Sequence, residues 1–201
     1  MTWGGTSLPE RRAVRREKLL AAGLDLLGTQ GSAAVAVRSV CRRAELTDRY
    51  FYENFADREA LLLAVYDQVA GEAKEALEEA VRDSPHEPAA AVEAFLGVLT
   101  DDPRKGRVLL LEPMTDAALG ARGAELMPVF ADLVAARLGG DPSGRAARMT
   151  ATALIGALSN LFVRWLDGSL AVTRADLVDY CVALLLASAS LAGGSPAARD
   201  G

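Results

Sequence analysis

Hydrophobic positions along the chain recur every three or four residues, which is the period of amphipathic helices. The first such segment runs from about Glu10 to Thr29, and Gly31 follows it as a stop signal. Later segments end at stretches rich in Pro, Gly, Asp and Ser, at residues 84–88, 101–103, 139–142 and 167–169. The segments between these breaks have ordinary helical lengths, so the pattern predicts helices along the whole chain.

Two short helical segments follow the first one. The earlier has a single apolar face, formed by Val37, Val40, Cys41 and Ala44. The later begins after Thr47, an N-cap residue, and places Phe51 and Phe55 on its core side. Two short helices joined by a tight turn and preceded by a longer helix are typical of a helix-turn-helix. A longer helix, with Asp57 as its N-cap, is predicted to continue to about Val81.

Composition supports a helical protein. The chain has 201 residues, of which 51% are hydrophobic, 24% charged and only 5% aromatic, and isoleucine occurs once, at Ile155. Alanine and leucine, which dominate, favour helices, whereas strands favour β-branched and aromatic residues. The sequence therefore predicts an all-α fold and excludes an all-β one.

Charge is distributed unevenly along the chain. The net charge is −5, yet residues 1–60 hold ten basic and eight acidic side chains. A basic N-terminal part on an acidic body indicates that one end of the molecule binds a polyanion. A solvated surface would give the same asymmetry, so charge alone leaves both interpretations open.

The two cysteines, Cys41 and Cys181, are far apart in apolar surroundings and are predicted to be buried thiols in a reducing compartment. Met1–Pro9 lacks the apolar stretch of a secretory signal. The uncharged run Tyr180–Ala192 is shorter than the roughly 20 residues that span a bilayer. A cytoplasmic protein is predicted, with no metal site and no cofactor.

Polar side chains on the two short helices are candidates for DNA contacts, because phosphates and base edges are bound by such donors and acceptors. On the first helix these are Arg38 and Ser39, and on the second they are Thr47, Asp48, Arg49, Tyr50, Tyr52 and Asn54. The alternative is a solvated helix pair on an unrelated bundle.

A family resemblance favours the DNA-binding interpretation. The run Phe51–Leu61, FYENFADREAL, resembles the LYxHFxxKEAL signature of the tetracycline-repressor (TetR) family of transcriptional regulators. Val37–Thr47 resembles the family's T-x-x-x-IA-x-x-AGVS stretch, and Arg15–Leu27 resembles its opening helix. Together these matches cover about a third of the chain, from Arg11 to Val69.

The resemblance implies roles for individual residues. Tyr52, Asn54 and Arg58 stand where the family places phosphate-contacting Tyr, His and Lys, and Arg38 stands where some members have a base-reading Arg. Arg49, near the start of the recognition helix, is the best candidate for a bidentate contact with guanine. Asp48 has two open interpretations, an acceptor for a cytosine amino group or a first-turn acid that favours the helix dipole.

Three features depart from the family pattern. Glu45 replaces the usual turn glycine, at a cost of about 1–2 kcal/mol if that residue is left-handed. Asn54 replaces a common histidine but still donates a hydrogen bond. Glu53 and Glu59 add negative charge near the DNA-binding face.

The resemblance also implies a domain organisation. The expected parts are an arm and helix-turn-helix domain at 1–56, a connecting helix at 57–84, an effector-binding and dimerisation domain at 85–192, and a disordered tail at 193–201. Met1–Leu8 is likewise expected to be disordered.

Small residues on the last two long helices predict association. Among Leu and Val these helices carry Ala151, Ala153, Gly156, Ala157, Ser159, Ala183, Ala187 and Ala189. Such side chains let helix backbones approach closely, and two helical hairpins from two chains make a four-helix bundle. The family resemblance implies this homodimer; the alternative is that the small residues fill the protein's own core.

A small-molecule effector site among the middle helices is implied by the resemblance. The candidates are Glu112, Met114, Met127, Phe130, Asn160, Arg164 and Trp165. Each is also compatible with plain core packing. The apolar surroundings favour a largely apolar effector.

The resulting hypothesis is a ligand-responsive repressor whose dimer holds a pseudo-palindromic double-stranded operator until an effector releases it. One alternative is a degenerate helix-turn-helix that binds another protein. The other is a helical enzyme, which the sequence disfavours because His86 is the single histidine and no glycine-rich phosphate loop is present.

Overall fold

The computed structural model of the protein describes residues 8–138, 141 and 143–193, and within these ranges it contains helices and no strands. The helices are α1 Leu8–Gln30, α2 Val37–Ala44, α3 Asp48–Tyr52, α4 Arg58–Asp83, α5 Pro88–Thr100, α6 Pro103–Gly106, α7 Ala117–Ala135, α8 Arg145–Leu166 and α9 Arg174–Gly193. The all-α prediction is confirmed. The predicted disordered ends lie outside the described residues, except that Leu8 begins α1 and Gly193 ends α9.

The chain divides into two compact units. Unit 1 contains Met1–Ala70 and Asp102–Gly120, and unit 2 contains Gly71–Asp101 and Ala121–Gly201. Residues 102–120 thus pack with the helix-turn-helix, although the sequence-based division groups them with the C-terminal domain. The close approach of α6 to α1 explains this packing, because a Cβ on Gly28 would lie only 2.4 Å from the Cβ of Arg104.

The core of unit 1 is formed by the apolar faces that the periodicity predicts. Phe51 is fully buried, and its ring lies 5.8 Å from that of Phe55 between centroids. Around them the buried leucines and valines include Leu19, Leu27, Val40, Leu61 and Leu62. Asp57 accepts a hydrogen bond from the Ala60 amide at 2.8 Å, which confirms it as the N-cap of α4.

Unit 2 contains α5, α7, α8, α9 and the second half of α4. Phe95 of α5 packs against Phe162 of α8, with ring centroids 5.2 Å apart. Arg174, at the start of α9, donates to the Glu93 carboxylate at 2.6 Å and to the Thr100 hydroxyl at 3.1 Å. Two kinds of contact therefore hold α5 in this unit: packing between aromatic rings, and hydrogen bonds from Arg174 at the start of α9.

The stretch between the breaks at 101–103 and 139–142 contains more than one helical element. After α6 the chain forms a π-helical turn at Arg107–Leu111 and a 3₁₀ turn at Glu112–Met114 before α7 begins. Pro113 gives the physical reason for the interruption, since it has no amide hydrogen for an α-helical bond.

One helix of the described chain, α8, is long and apolar enough to cross a membrane by length and composition. Only 28% of its most apolar window is buried within the protein. A single such helix is weak evidence for a membrane span, because core helices of soluble proteins pass the same test.

Candidate DNA-binding site

The turn between α2 and α3 has the backbone that the sequence predicts. Glu45 adopts φ 56° and ψ 42°, the left-handed conformation that glycine usually supplies. The Leu46 amide closes the turn by donating to the carbonyl of Cys41 at 2.9 Å. Glu45 is also the single non-glycine residue with positive φ among the residues that the structure describes.

A Glu45→Gly variant is therefore expected to raise the free energy of unfolding by about 1 kcal/mol, because the left-handed strain is removed. Urea denaturation followed by circular dichroism measures this change. Glu59→Gly, on the exposed face of α4, is the matched control and is expected to lower stability by a similar amount. A Glu45→Gly protein less stable than the wild type would contradict the strain argument.

The exposed surface of α3 carries the strongest candidates for base and phosphate contacts. Thr47, at the N-cap position, and Asp48 are exposed. Arg49 is the most open of these, with 84% of its side chain accessible, and Tyr52 is 59% exposed. Tyr50 is half-buried, because the guanidinium of Arg15 lies 4.3 Å above its ring.

Asp48 raises the pKa of a buried thiol. Burial, together with the nearby carboxylate of Asp48, raises the pKa of Cys41 to about 11. Cys181 is also buried, and burial raises its pKa to about 11. Both thiols are buried, as predicted. Both interpretations of Asp48, as a base contact or as a first-turn acid, stay predictions.

Arg49 is oriented by a neighbouring acid. Its Nε donates to Oε1 of Glu53 at 3.0 Å, one helical turn away, and Arg15 lies 3.8 Å from the other oxygen of the same carboxylate. This bond uses Nε, and the side chain of Arg49 is 84% exposed, so its two terminal nitrogens are available as donors to a base. Glu53, considered from sequence only as unfavourable charge, thus orients the candidate base reader. The i,i+4 spacing of Arg49 and Glu53 is the signal that could have shown this.

Arginines of α1 contact the C-terminal end of α3. These arginines are not among the site residues predicted from the sequence. Arg12 donates to the Glu53 carbonyl, and Arg16 donates to the Asn54 carbonyl at 3.3 Å. The guanidinium of Arg16 also lies 4.5 Å from the centre of the Phe55 ring. The basic charge of α1 therefore positions the recognition helix.

Three predicted DNA contacts use their polar atoms within the protein. Asn54 donates its side-chain amide to the Tyr50 carbonyl at 2.8 Å. Ser39 accepts from the Ala36 amide at 3.0 Å at the start of α2, while Arg38 beside it is exposed. Arg58 donates to the backbone carbonyls of residues 32 and 35, at 2.6 and 2.7 Å.

The predicted effector residues are divided between the two units. In unit 1, the Glu112 carboxylate is buried and bonded to protein groups, and Met114 is 69% exposed. In unit 2, Met127 and Phe130 lie on α7, and the Trp165 indole donates to the Val172 carbonyl at 3.1 Å. The other two, Asn160 and Arg164, are exposed on α8.

A cleft of about 520 Å³ lies in unit 1, beside α2. It is lined by Leu26, Gln30, Ala34, Ser39, Arg42 and Arg43, which are mainly polar and include none of the predicted effector residues. Its chemistry does not match an apolar effector.

A helix-turn-helix with an exposed recognition helix is the arrangement of a DNA-binding transcriptional regulator. Two family models cover most of the chain. The model for bacterial regulatory proteins of the tetR family matches residues 19–65, and the model for the MftR C-terminal domain matches residues 72–190. The chain belongs to the TetR family of ligand-responsive, DNA-binding regulators.

Solved structures show the same fold. The regulator FadR of Bacillus subtilis, solved in complex with stearoyl-CoA, is 18% identical with a TM-score of 0.68, over 87% of this chain and 97% of that one. The fatty acid degradation regulator FadR of Bacillus halodurans is 15% identical with a TM-score of 0.66, over 86% and 94%. A TetR-like regulator of Rhodococcus sp. RHA1 is 23% identical with a TM-score of 0.60, over 88% and 94%. No curated protein sequence matches the chain.

Proposed function

We propose that the protein is a cytoplasmic, non-catalytic repressor that binds a pseudo-palindromic operator as a homodimer and releases it when a small, largely apolar effector binds. The observation that carries this proposal is the exposed recognition helix, on which Arg49 is 84% exposed and is bonded to Glu53 through Nε alone. Arg49 would read a guanine, and Tyr52 and Arg38 would contact phosphates or flanking bases.

The exposed surface of unit 2 supports the dimer. On α8 the exposed stripe contains the small residues Ala153, Gly156 and Ala157 next to Met149, and a Cβ on Gly156 would meet no atom within 4 Å. On α9, Leu186 and Leu191 are 61% and 67% exposed. Ala151, by contrast, is buried in the protein's own core. A second copy would cover the exposed stripes and separate two recognition helices by about 34 Å, which matches successive major grooves.

The effector is proposed to bind among the helices of unit 2, beside Met127, Phe130 and Trp165. Stearoyl-CoA in the B. subtilis FadR structure, with its long apolar chain, supports an apolar effector for this chain too. Asn160 and Arg164 lie on the exposed stripe of α8 that a second copy is proposed to cover. They are therefore weaker candidates for effector contacts. To release DNA, the effector must bind more tightly to the DNA-incompetent state.

Fluorescence anisotropy with DNA that flanks the protein's own gene tests the proposal. We expect tighter binding to that DNA than to scrambled DNA, with an affinity that falls steeply as salt rises because phosphate contacts release counterions. Fatty acyl-CoA added to the complex is then expected to lower the anisotropy. Equal affinity for specific and scrambled DNA, repeated with sites selected from a random pool, would reject sequence-specific regulation.

A further inference from the structure

The π-helical turn at Arg107–Leu111 brings together two side chains that an α-helix would separate. Its backbone bond runs from the Glu112 amide to the Arg107 carbonyl, five residues back. In an α-helix, residues five apart point in clearly different directions, since each residue turns by about 100°. Here Arg107 Nε donates to Glu112 Oε1 at 2.8 Å. Such turns are rare and occur frequently at functional sites.

The Glu112 carboxylate lies against the connection between α1 and α2. The side chain of Glu112 is only 4% exposed, and among the residues that the structure describes no other charged side chain is buried. Its Oε2 accepts a hydrogen bond from the Ser32 amide at 2.8 Å, in the 3₁₀ turn that precedes α2. Gly31, the residue before Ser32, packs directly against these groups. A Cβ at this position would lie 3.1 Å from Arg107 and 3.3 Å from Glu112, so the close packing depends on a residue without a side chain.

Further contacts hold residues 102–116 against the same part of the helix-turn-helix. Arg104 contacts Asp25 of α1 at 3.2 Å, and Asp25 is also paired with Arg43 of α2 at 2.9 Å. Arg58, which binds the Ser32 carbonyl, lies 3.9 Å from Asp116. Ser32 is therefore bonded on its amide side by Glu112 and on its carbonyl side by Arg58.

We propose that Glu112 is a positioning residue for operator binding. Held in place by Arg107 across the π-helical turn, its carboxylate fixes the turn at Ser32 and so sets where α2 begins. Because α3 packs on α2 through a tight turn at Glu45, this contact determines how the recognition helix is presented to DNA. Glu112 thus acts in DNA recognition and not in effector binding. The inference rests on the proposed function for its DNA readout.

The test compares Glu112→Ala, Glu112→Gln and the wild type. Alanine leaves the Ser32 amide without its acceptor, so we expect operator affinity to fall about 10-fold or more while affinity for scrambled DNA is unchanged. Glutamine keeps an oxygen that accepts from Ser32, but its NH2 group then faces the Nε–H donor of Arg107, so it is expected to restore only part of the affinity. Glu125→Ala removes an exposed carboxylate paired with Arg122 and serves as the matched control.

Amide hydrogen exchange gives a readout that does not depend on DNA. In Glu112→Ala, the amides of Ser32 and of α2 are expected to exchange faster, while those of α9 exchange as in the wild type. Unchanged exchange in α2, or equal losses of affinity for operator and scrambled DNA, would overturn the inference. The wild type could show no preference for operator DNA while Glu112→Ala still exchanges the amides of α2 faster. In that case the proposed function fails, and the positioning of α2 by Glu112 stands. If alanine unfolds unit 1, the glutamine variant supplies both measurements, with a smaller loss of operator affinity and a smaller rise in the exchange of Ser32 and α2.

Discussion

A Leu186→Glu variant is expected to be monomeric at concentrations where the wild type is a dimer. Leu186 is 61% exposed on α9, within the surface that we propose a second copy covers. In a two-fold symmetric interface each substitution occurs twice, so two carboxylates would be buried without partners. Burial of an unpaired ion costs several kcal/mol. The dimer dissociation constant should therefore rise at least 100-fold, which corresponds to a loss of about 2.7 kcal/mol in the free energy of dimerisation. Sedimentation equilibrium measures it.

The matched control for this variant is Val129→Glu, which places the same charge on an exposed position of α7 in the same unit. It is expected to leave the dimer intact. A wild-type protein that is monomeric at micromolar concentration, or a Leu186→Glu dimer as tight as the wild type, would contradict the proposed interface. Operator affinity of the monomeric variant should also fall, since each chain then reads only half of the site.

The fold could be predicted largely from local signals. Helical periodicity located α1, α4, α8 and α9, and capping chemistry located their ends, as with Asp57 before α4 and Gly31 after α1. The resemblance placed Glu45 at the turn position where glycine is usual, and the structure shows that this residue is left-handed. The assignment of residues 102–120 to unit 1 was not predicted, since it depends on the fit of α6 against Gly28, which no local pattern encodes.

The sequence could predict which residues lie at the candidate site, but not which groups of the protein they contact. Sequence patterns placed Arg49 and Tyr52 on the exposed face of α3, and the structure agrees in their exposure. Family resemblance assigned Arg58 to a DNA phosphate and Glu112 to the effector. In the structure they bind the backbone around Ser32, from positions 26 and 80 residues away in sequence. Long-range polar contacts of this kind leave no periodic signal.

Arg49→Ala and Tyr52→Ala are expected to weaken operator binding in two distinguishable ways. Arg49 is the candidate guanine reader, and a bidentate contact discriminates by about 1–3 kcal/mol per half-site. Its loss should lower operator affinity at least 10-fold and relax the preference at one base pair, with scrambled DNA bound nearly as before. Tyr52 is assigned to a phosphate, so its loss should weaken all sequences alike.

Anisotropy titrations with the operator, with single base-pair variants of it and with scrambled DNA separate these outcomes. Arg137→Ala removes an exposed arginine of unit 2 and should leave every titration unchanged. Glu53→Gln tests the orientation of Arg49, because it weakens the charged acceptor of Nε. It should lower the ratio of operator affinity to scrambled-DNA affinity, although the loss of negative charge near the DNA-binding face should raise the affinity for both. If Arg49→Ala weakens operator and scrambled DNA equally, Arg49 contacts phosphate. The base reader must then be sought among Arg38, Thr47 and Asp48, which are the remaining exposed candidates at the starts of α2 and α3.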